Sequence, residues 1–293
     1  MPDFLSALQK SEILIADGAT GTMLQQAGLS AGAAPERWNL ENPEAIMELH
    51  RSYIDAGSDI ILTNTFGGTR IRLMQDIENP DVVAINRKAA ELARQAAGET
   101  VIVLGDMGPT GQMLEPLGLQ TYDETLNAYA EQAGALAEGG ANAILVETMS
   151  DLNEAKAALE GARKATNLPV IVSFSFDTHG RTMMGLDPEG AARAMLEQGV
   201  DVIGANCGRT LTETLAAIEK MREVAPEALL LAKPNAGLPH RDDGEFVYEV
   251  TPEIMGEYAI RFAAVGVKIF GGCCGSNPEH IKAAAEVLKG FGD

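Results

Sequence analysis

The sequence contains three cysteines, and each of them lies at the end of a short apolar run. Cys207 ends the run DVIGANC, and Cys273 and Cys274 end the run KIFGGCC. Two adjacent cysteines and one distant partner make a poor disulfide framework, because a ring between neighbours is strained. Grouped thiolates are typical zinc ligands, whereas magnesium and calcium prefer oxygen. The cysteines therefore predict a zinc centre, with buried and inert thiols as the alternative.

A centre with three thiolates predicts a particular kind of chemistry. Three protein ligands leave the fourth position of a tetrahedral zinc ion open, as in catalytic sites. With a net charge of about −1, such an ion activates water poorly but can hold an incoming thiol as a nucleophilic thiolate. Alkyl transfer to sulfur is the reaction that fits, because it needs an aligned thiolate and little acid–base help.

Apolar runs alternate with amphipathic stretches along the chain and must position these cysteines. The eight runs cover residues 12–16, 59–64, 101–106, 143–148, 169–176, 201–207, 228–235 and 268–274. They are continuously apolar, which is typical of parallel strands buried on both faces. The pattern predicts an α/β protein, a single (β/α)8 TIM barrel that uses residues 1–293 as one domain. A doubly wound open sheet is the alternative.

A barrel would bring the cysteines together at its C-terminal face. Neighbouring strands lie about 4.8 Å apart, so thiols on the sixth and eighth strands can meet around one ion. Adjacent residues of a straight strand point to opposite sides, so Cys273 and Cys274 require a bend in the chain. Gly271 and Gly272 before the pair and Gly275 after it permit that bend. We expect one zinc ion per chain at this face.

Composition excludes several classes of protein. The chain is 46% hydrophobic and 22% charged, which excludes a disordered or collagen-like polypeptide. A net charge of −20 would repel phosphate backbones and anionic lipid, so nucleic acid and membrane surfaces are not expected partners. The sequence shows neither a signal-peptide pattern nor an apolar stretch of about 18 residues. A cytoplasmic location is therefore expected.

Several motifs at the ends of the apolar runs are similar to those of one family. They are DGATGT (17–22), NTFGG (64–68), GDMGPTG (105–111), ETMSD (147–151), GANCG (204–208), KPNAG (233–237) and GGCCG (271–275). Together they resemble the homocysteine S-methyltransferase family over nearly the whole chain. The resemblance implies a zinc-containing barrel that methylates the thiol of homocysteine to give methionine. It also implies that Cys207, Cys273 and Cys274 are the zinc ligands and act in catalysis.

Homocysteine carries a thiol, an ammonium group and a carboxylate. The resemblance implies that Asp17 and Glu147, at the ends of the first and fourth runs, hold the ammonium group. The backbone amides of Gly18, Ala19 and Thr20 can form a small nest for the carboxylate. Loop capping by the two acids and a tight turn at residues 17–22 are the structural alternatives.

Four further polar residues lie at the ends of the runs. We interpret Asn64, Asp106 and Asn206 as residues that order the loops, with substrate contact as the alternative. Asn235 ends the run between the two cysteine-bearing runs. We predict that its side-chain oxygen is the fourth zinc ligand when substrate is absent.

The identity of the methyl donor is the least constrained part of the prediction. Quaternary ammonium and sulfonium donors favour an aromatic cage, and the single tryptophan, Trp38, lies in the loop after the first run. Betaine-using relatives carry a tyrosine after the glutamate of the fourth run, where this chain has Thr148. The motif set is most similar to the homocysteine-binding module of cobalamin-dependent methionine synthase. No folate- or cobalamin-binding segment follows the last run, so we expect methylcobalamin on a separate corrinoid protein.

Three alternatives to this function stay open at the level of sequence. The donor could be betaine or a sulfonium compound such as S-methylmethionine or a dimethylsulfonio compound. The barrel could be a non-catalytic subunit that presents homocysteine within a split methionine synthase. A metal-free barrel of the aldolase type would instead use Lys233 to form a Schiff base.

Overall fold

The computed structural model describes residues 3–30, 32–238, 240–242 and 245–290. Its parallel strands are β1 (Leu14–Ile15), β2 (Ile60–Leu62), β3 (Ile102–Met107), β4 (Ala143–Met149), β5 (Val170–Phe174), β6 (Val202–Cys207), β7 (Leu230–Pro234) and β10 (Val267–Phe270). Two further strands, β8 (His240–Asp242) and β9 (Glu245–Val247), form a separate antiparallel hairpin.

The parallel strands form one sheet that closes on itself. Within the described residues their order is β1-β10-β7-β6-β5-β4-β3-β2. A parallel bridge between Ala16 and Ile60 then joins the two edges of this sheet. The closed order confirms the predicted (β/α)8 barrel and excludes the doubly wound open sheet.

Helices lie between the strands along the chain. Their bounds are α1 (Phe4–Lys10), α2 (Gly21–Gln26), α3 (Trp38–Glu41), α4 (Pro43–Asp55), α5 (Arg70–Leu73), α6 (Val82–Ala97), α7 (Tyr122–Glu138), α8 (Leu152–Ala165), α9 (Pro188–Glu197), α10 (Leu211–Val224), α11 (Pro252–Ala264) and α12 (Pro278–Lys289). Side-chain caps define several starts: Thr121 forms a capping box with Glu124 at α7, and Asp151 caps α8. Within the described residues, none of these helices is long and apolar enough to cross a membrane.

The barrel is filled by every second residue of its strands. In β3, Ile102 and Leu104 join the inner cluster, whereas Val103 packs outward with Ala93 and Ala97 of α6. Both faces of each strand are therefore buried, which explains why the runs in the sequence are apolar without alternation. Phe4 and Leu8 of α1 also belong to the inner cluster.

Small residues allow the outer helices to pack closely. A Cβ atom placed on Gly161 of α8 would lie 2.5 Å from the carbonyl oxygen of Leu126 in α7. Only glycine fits such a contact without displacing one of the two helices. The helix layer thus holds the strands in position, so that their C-terminal ends form one face.

Two long segments at that face, which follow β1 and β7, contain structure of their own. The segment after β1 holds α2, a short 3-10 helix (Pro35–Arg37) and α3, and the segment after β7 holds the β8–β9 hairpin. These elements are too short to produce a recognisable hydrophobic period, so the sequence shows them only as loops.

Candidate active site

The three cysteines meet at the C-terminal face of the barrel. Cys207 is the last residue of β6, and Cys273 and Cys274 follow β10 after two glycines. Strand β7 lies between β6 and β10 and pairs with both. The three Sγ atoms lie within 4.8 Å of one another, so the cluster could hold a metal ion.

Backbone geometry at the two strand ends turns the sulfur atoms toward each other. Cys207 and the following Gly208 have positive φ angles of 59° and 72°, which turn the chain sharply out of β6. The amide of Cys273 donates to the Pro234 carbonyl oxygen at 2.9 Å, so this segment stays attached to β7. Gly275, at a φ of 79°, then turns the chain after Cys274. Cys273 and Cys274 follow the end of β10, so they are not bound by the alternating geometry of a strand. Both side chains can therefore point to the same site.

The sulfur atoms interact strongly with one another. Hydrogen bonds from Cys273 and Cys274 to the sulfur of Cys207 lower the pKa of Cys207 to about 3. The same contacts raise the pKa of Cys273 to about 11 and raise that of Cys274, because they favour the protonated forms of those two thiols. The cluster thus favours a thiolate at Cys207, and thiolates are the form of cysteine that binds metal ions.

Two asparagine amides contact the sulfur atoms. Nδ2 of Asn235 donates to the Gly208 carbonyl oxygen at 2.7 Å and approaches the Cys207 sulfur at 3.6 Å. Its Oδ1 atom is buried and has no hydrogen-bond partner within the described part of the chain. Nδ2 of Asn206 lies 4.0 Å from the Cys273 sulfur. In this arrangement the amide nitrogen of Asn235, and not its Oδ1 atom, contacts the Cys207 sulfur, so Oδ1 would reach a metal ion there only after the amide group turns.

A buried ion pair lies beside the cluster. Nζ of Lys233, on β7, is 3.1 Å from Oε2 of Glu147, on β4, and both side chains are almost fully buried. Burial lowers the pKa of Lys233, but Glu147, Asp17 and Asp106 raise it by more, so its pKa lies above the usual range for lysine. Since a Schiff-base lysine must lose its proton to act as a nucleophile, this environment argues against the aldolase-type alternative.

Two more carboxyl groups are buried near this pair. Oδ2 of Asp17 accepts a hydrogen bond from the Leu62 amide at 2.8 Å. The Oδ1 atoms of Asp17 and Asp106 are buried and have no hydrogen-bond partner among the described residues. Buried acceptors without donors are rare and costly, so these atoms require a partner such as a water molecule, an ion or a ligand.

Burial also shifts the titration of these acids. Burial raises the pKa of Asp17 to about 7, although Lys233 opposes the shift. Burial, together with the neighbouring Glu147, holds the pKa of Asp106 well above its usual range. The pKa of Glu147 is raised by burial and lowered in part by Lys233. Perturbed acids at the mouth of a barrel are typical of a functional site.

Of the three backbone amides predicted to bind the carboxylate, one is already engaged in a hydrogen bond. The amide of Ala19 donates to the Ser276 carbonyl oxygen at 2.9 Å, and Tyr53 donates its hydroxyl to the Ala19 carbonyl oxygen at 2.8 Å. Within the described residues, the amides of Gly18 and Thr20 make no such bond. An anion at this turn would therefore find two free amides, whereas the sequence suggested three.

A cavity of about 470 Å³ opens onto the cysteines. This volume falls in the range of small-molecule sites. The sequence-predicted residues that line it are Gly18, Ala19, Thr20, Glu147, Cys207, Cys273 and Cys274, and it is also lined by Asp106, Thr148 and Lys233. Asp17 and Asn235 are buried and are not lining residues.

Aromatic side chains contribute little to the cavity wall. Among its described lining residues, Phe66 is the one aromatic side chain. Trp38 is half-buried and packs against the hydrophobic core, so it closes its loop and does not line the cavity. An aromatic cage for a quaternary ammonium group would need several rings around one point.

Tyr248 is a neighbour of the cluster that the sequence did not reveal. A Cβ atom placed on Gly275 would lie 2.2 Å from the Tyr248 ring, so the ring covers the turn after the cysteines. Burial raises the pKa of Tyr248 to about 12, and the three nearby cysteines add to the shift. The one feature of the sequence that could have indicated Tyr248 is its place in the long segment after β7, at the same face as the cysteines.

Comparison with known proteins agrees with this geometry. The family model described as homocysteine S-methyltransferase matches residues 14–288. Methionine synthase from Mycobacterium leprae is 34% identical over 307 aligned residues, which cover 98% of this chain and 25% of that protein. The methionine synthase of Mycobacterium tuberculosis matches to the same extent. The chain thus spans about a quarter of the length of these relatives.

Solved structures share the barrel. The homocysteine methyltransferase MmuM from Escherichia coli, in its metallated form, matches with a TM-score of 0.81 at 23% identity, covering 97% of this chain and 99% of that one. A methyltransferase from Methanosarcina mazei matches with a TM-score of 0.63 at 14% identity, covering 99% and 98%. At such identities the likeness concerns the fold. The family model and the 34% identity settle the assignment: the chain belongs to the homocysteine S-methyltransferase family.

Proposed function

We propose that this chain, as one barrel domain, transfers a methyl group to the thiol of homocysteine to give methionine. The observation that carries the proposal is the meeting of three cysteine sulfurs beside a cavity lined by Glu147. Sulfur ligands and a carboxylate correspond to the thiol and the ammonium group of the substrate. The family membership supports the same reaction class.

The donor set fits a zinc ion. Three sulfur atoms within 4.8 Å of one another match the spacing of thiolates around zinc, with bonds of about 2.3 Å. We propose one zinc per chain on Cys207, Cys273 and Cys274, with Oδ1 of Asn235 as fourth ligand before substrate binds. When bound, the ion supplies a position for the substrate thiol and lowers the pKa of that thiol. The metallated form of MmuM supports a metal in this fold.

The remaining residues would orient the amino acid. Glu147 lines the cavity, and Asp17 has a buried oxygen atom without a donor among the described residues, so both acids would stabilise the ammonium group of homocysteine. The free amides of Gly18 and Thr20 would accept its carboxylate at the turn after β1, with Ala19 holding that turn to Ser276. With both ends of the substrate fixed, its sulfur is held near the cysteines.

Transfer itself asks little of the protein. A new bond forms between the substrate sulfur and the methyl carbon, and the bond from carbon to the donor breaks with its electron pair left on the donor. The thiol proton leaves to solvent before this step. Alignment of sulfur, carbon and leaving atom is therefore the main contribution of the cavity.

For the donor we propose methylcobalamin carried by a corrinoid protein. The single aromatic ring among the described lining residues does not provide a cage for betaine or a sulfonium compound. The similarity to methionine synthases supports a corrinoid donor. A small-molecule donor and a non-catalytic, homocysteine-presenting role are the competing outcomes of the test.

The test is a donor screen with the zinc-loaded protein and homocysteine. Methylcobalamin, betaine, S-methylmethionine and a dimethylsulfonio compound are supplied separately, and methionine is measured. We expect methionine from methylcobalamin and none from the other three. The Cys207→Ala variant should be inactive, and Ser150→Ala, also at this face, should match the wild type.

Other results would revise the proposal in defined ways. Rapid methylation from betaine or a sulfonium compound without any corrinoid would refute the corrinoid donor. Zinc-dependent homocysteine binding without methionine from any donor would support the presenting subunit. Absence of zinc-dependent homocysteine binding would refute the proposed function altogether.

A further inference from the structure

Lys233 is a buried cation that the proposed reaction does not use. Its side chain is 2% exposed, and Nζ donates to Glu147 at 3.1 Å. A buried lysine is costly unless paired, so this position is a functional candidate. By engaging Oε2, it removes one acceptor of Glu147 from the substrate.

Several buried carboxyl groups lie around Lys233. Glu147 contacts Lys233 directly, and Asp17 and Asp106 are close enough to raise the Lys233 pKa as well. The Oδ1 atoms of Asp17 and Asp106 are buried and have no donor within the described residues. A ligand group with several N–H donors, such as an ammonium group, would satisfy these atoms.

Asp106 is better placed than Asp17 to meet that cation. It is 5% exposed and lines the cavity together with Glu147 and Cys273. Asp17 already accepts from the Leu62 amide and is not a lining residue. Of the two acids whose Oδ1 atom has no donor, Asp106 is therefore the one that lines the cavity.

We propose that Asp106 is a substrate-binding residue whose carboxyl group shares the ammonium group of homocysteine with Glu147, because Lys233 already engages Glu147. This inference rests on the proposed function. For Asp106 it prefers the alternative of substrate contact to the interpretation as a residue that orders its loop. Asp106 would then select thiols that carry an ammonium group.

The test compares two ligands that differ only in that group. L-Homocysteine and 4-mercaptobutyrate have the same thiol, chain length and carboxylate, but 4-mercaptobutyrate lacks the ammonium. Their dissociation constants are measured by calorimetry on zinc-loaded wild type, Asp106→Asn, Lys233→Met and a control, Asp177→Asn. Asp177 is half-buried, follows β5 at the same face and does not line the cavity.

The wild type should bind homocysteine at least about tenfold more tightly than 4-mercaptobutyrate, as expected for a charged hydrogen bond. Asp106→Asn should weaken homocysteine about tenfold and change 4-mercaptobutyrate by less than about twofold. Asp177→Asn should resemble the wild type. Lys233→Met should keep or increase the preference for homocysteine, because removing a cation makes the cavity more negative.

Two results would overturn the inference. If Asp106→Asn weakened the binding of both ligands equally, Asp106 would have a structural role, because the ammonium group would then make no difference to the effect of the substitution. An unchanged preference in Asp106→Asn, with the preference lost in Lys233→Met, would assign selectivity to Lys233. Failure of the wild type to bind homocysteine would instead refute the proposed function, so the two failures are distinguishable.

Discussion

Thr148 is held in a backbone conformation that threonine rarely adopts. Its φ angle is +61°, and a β-branched residue in the left-handed region costs of order 1–3 kcal/mol. Asn206 offsets that cost: its Oδ1 accepts from the Thr148 amide at 2.8 Å, and its Nδ2 donates to the Thr148 hydroxyl at 2.6 Å. The strained turn directs the chain just after Glu147, so Asn206 is a positioning residue for the cavity.

Removing this side chain should be costly. Asn206→Ala loses both bonds to Thr148 and the bond from the Ser173 hydroxyl at 2.6 Å. We expect a loss of about 2–3 kcal/mol in the free energy of unfolding, because buried partners are left unsatisfied. Urea unfolding of the metal-free protein measures this. Asn127→Ala, at an exposed position of α7, is the control and should change stability little; equal stability of the two variants would contradict the role of Asn206.

At the scale of elements, α4 contains a buried histidine. His50 is 2% exposed, and its Nε2 atom has no hydrogen-bond partner within the described residues. Burial lowers the pKa of His50 to about 4, from about 6.5 in an unfolded chain. The folded helix therefore favours neutral His50, and its contribution to stability is present above pH 6.5 and is lost as the pH falls toward 4.

This linkage predicts a pH dependence that one substitution should remove. Between pH 7 and pH 4 the wild type should lose about 3 kcal/mol more stability than His50→Leu, whatever the absolute stability of that variant. Urea unfolding across this pH range measures the difference. His179→Asn, at an exposed position, should retain the wild-type slope. If the stability of wild type and of His50→Leu changed equally with pH, α4 would tolerate a charged histidine.

On the scale of the whole molecule, the cysteine cluster joins distant parts of the chain. Cys207 and Cys273 are 66 residues apart in sequence (273 − 207), yet their sulfur atoms lie within 4.8 Å of one another. Strand β7, which pairs with both β6 and β10, must therefore be in place before the site exists. A metal bound there would stabilise the closed barrel relative to the unfolded chain.

Zinc should accordingly raise the stability of the whole barrel. At a free zinc concentration about 1,000 times the dissociation constant, the free energy of unfolding should rise by roughly 4 kcal/mol. The measurement is urea unfolding with zinc and after chelator treatment. Cys207→Ala should lose the zinc-dependent increase, and magnesium should not replace zinc. A zinc-dependent increase that persists in Cys207→Ala would place the metal elsewhere.

Much of the fold was predictable from particular stretches of sequence. The runs at 101–106 and 201–207 differ by at most one residue from β3 and β6, because strands buried on both faces must be apolar throughout. The run at 268–274 was too long, since β10 ends at Phe270 and the glycines and cysteines that follow lie outside the strand. Glycine carries no side chain that could continue the packing of a strand.

The sequence by itself determined which residues could do chemistry and the fold that would gather them. The cysteines at the ends of two apolar runs and the order of the motifs could be read from the sequence without any coordinates. Only the tertiary structure decided that Lys233 pairs with Glu147, that Asp106 faces a cavity without a donor, and that Ala19 has no free amide. Ion pairs and unsatisfied atoms depend on distances between residues far apart in the chain, whereas periodicity and motif spacing are properties of neighbours along it.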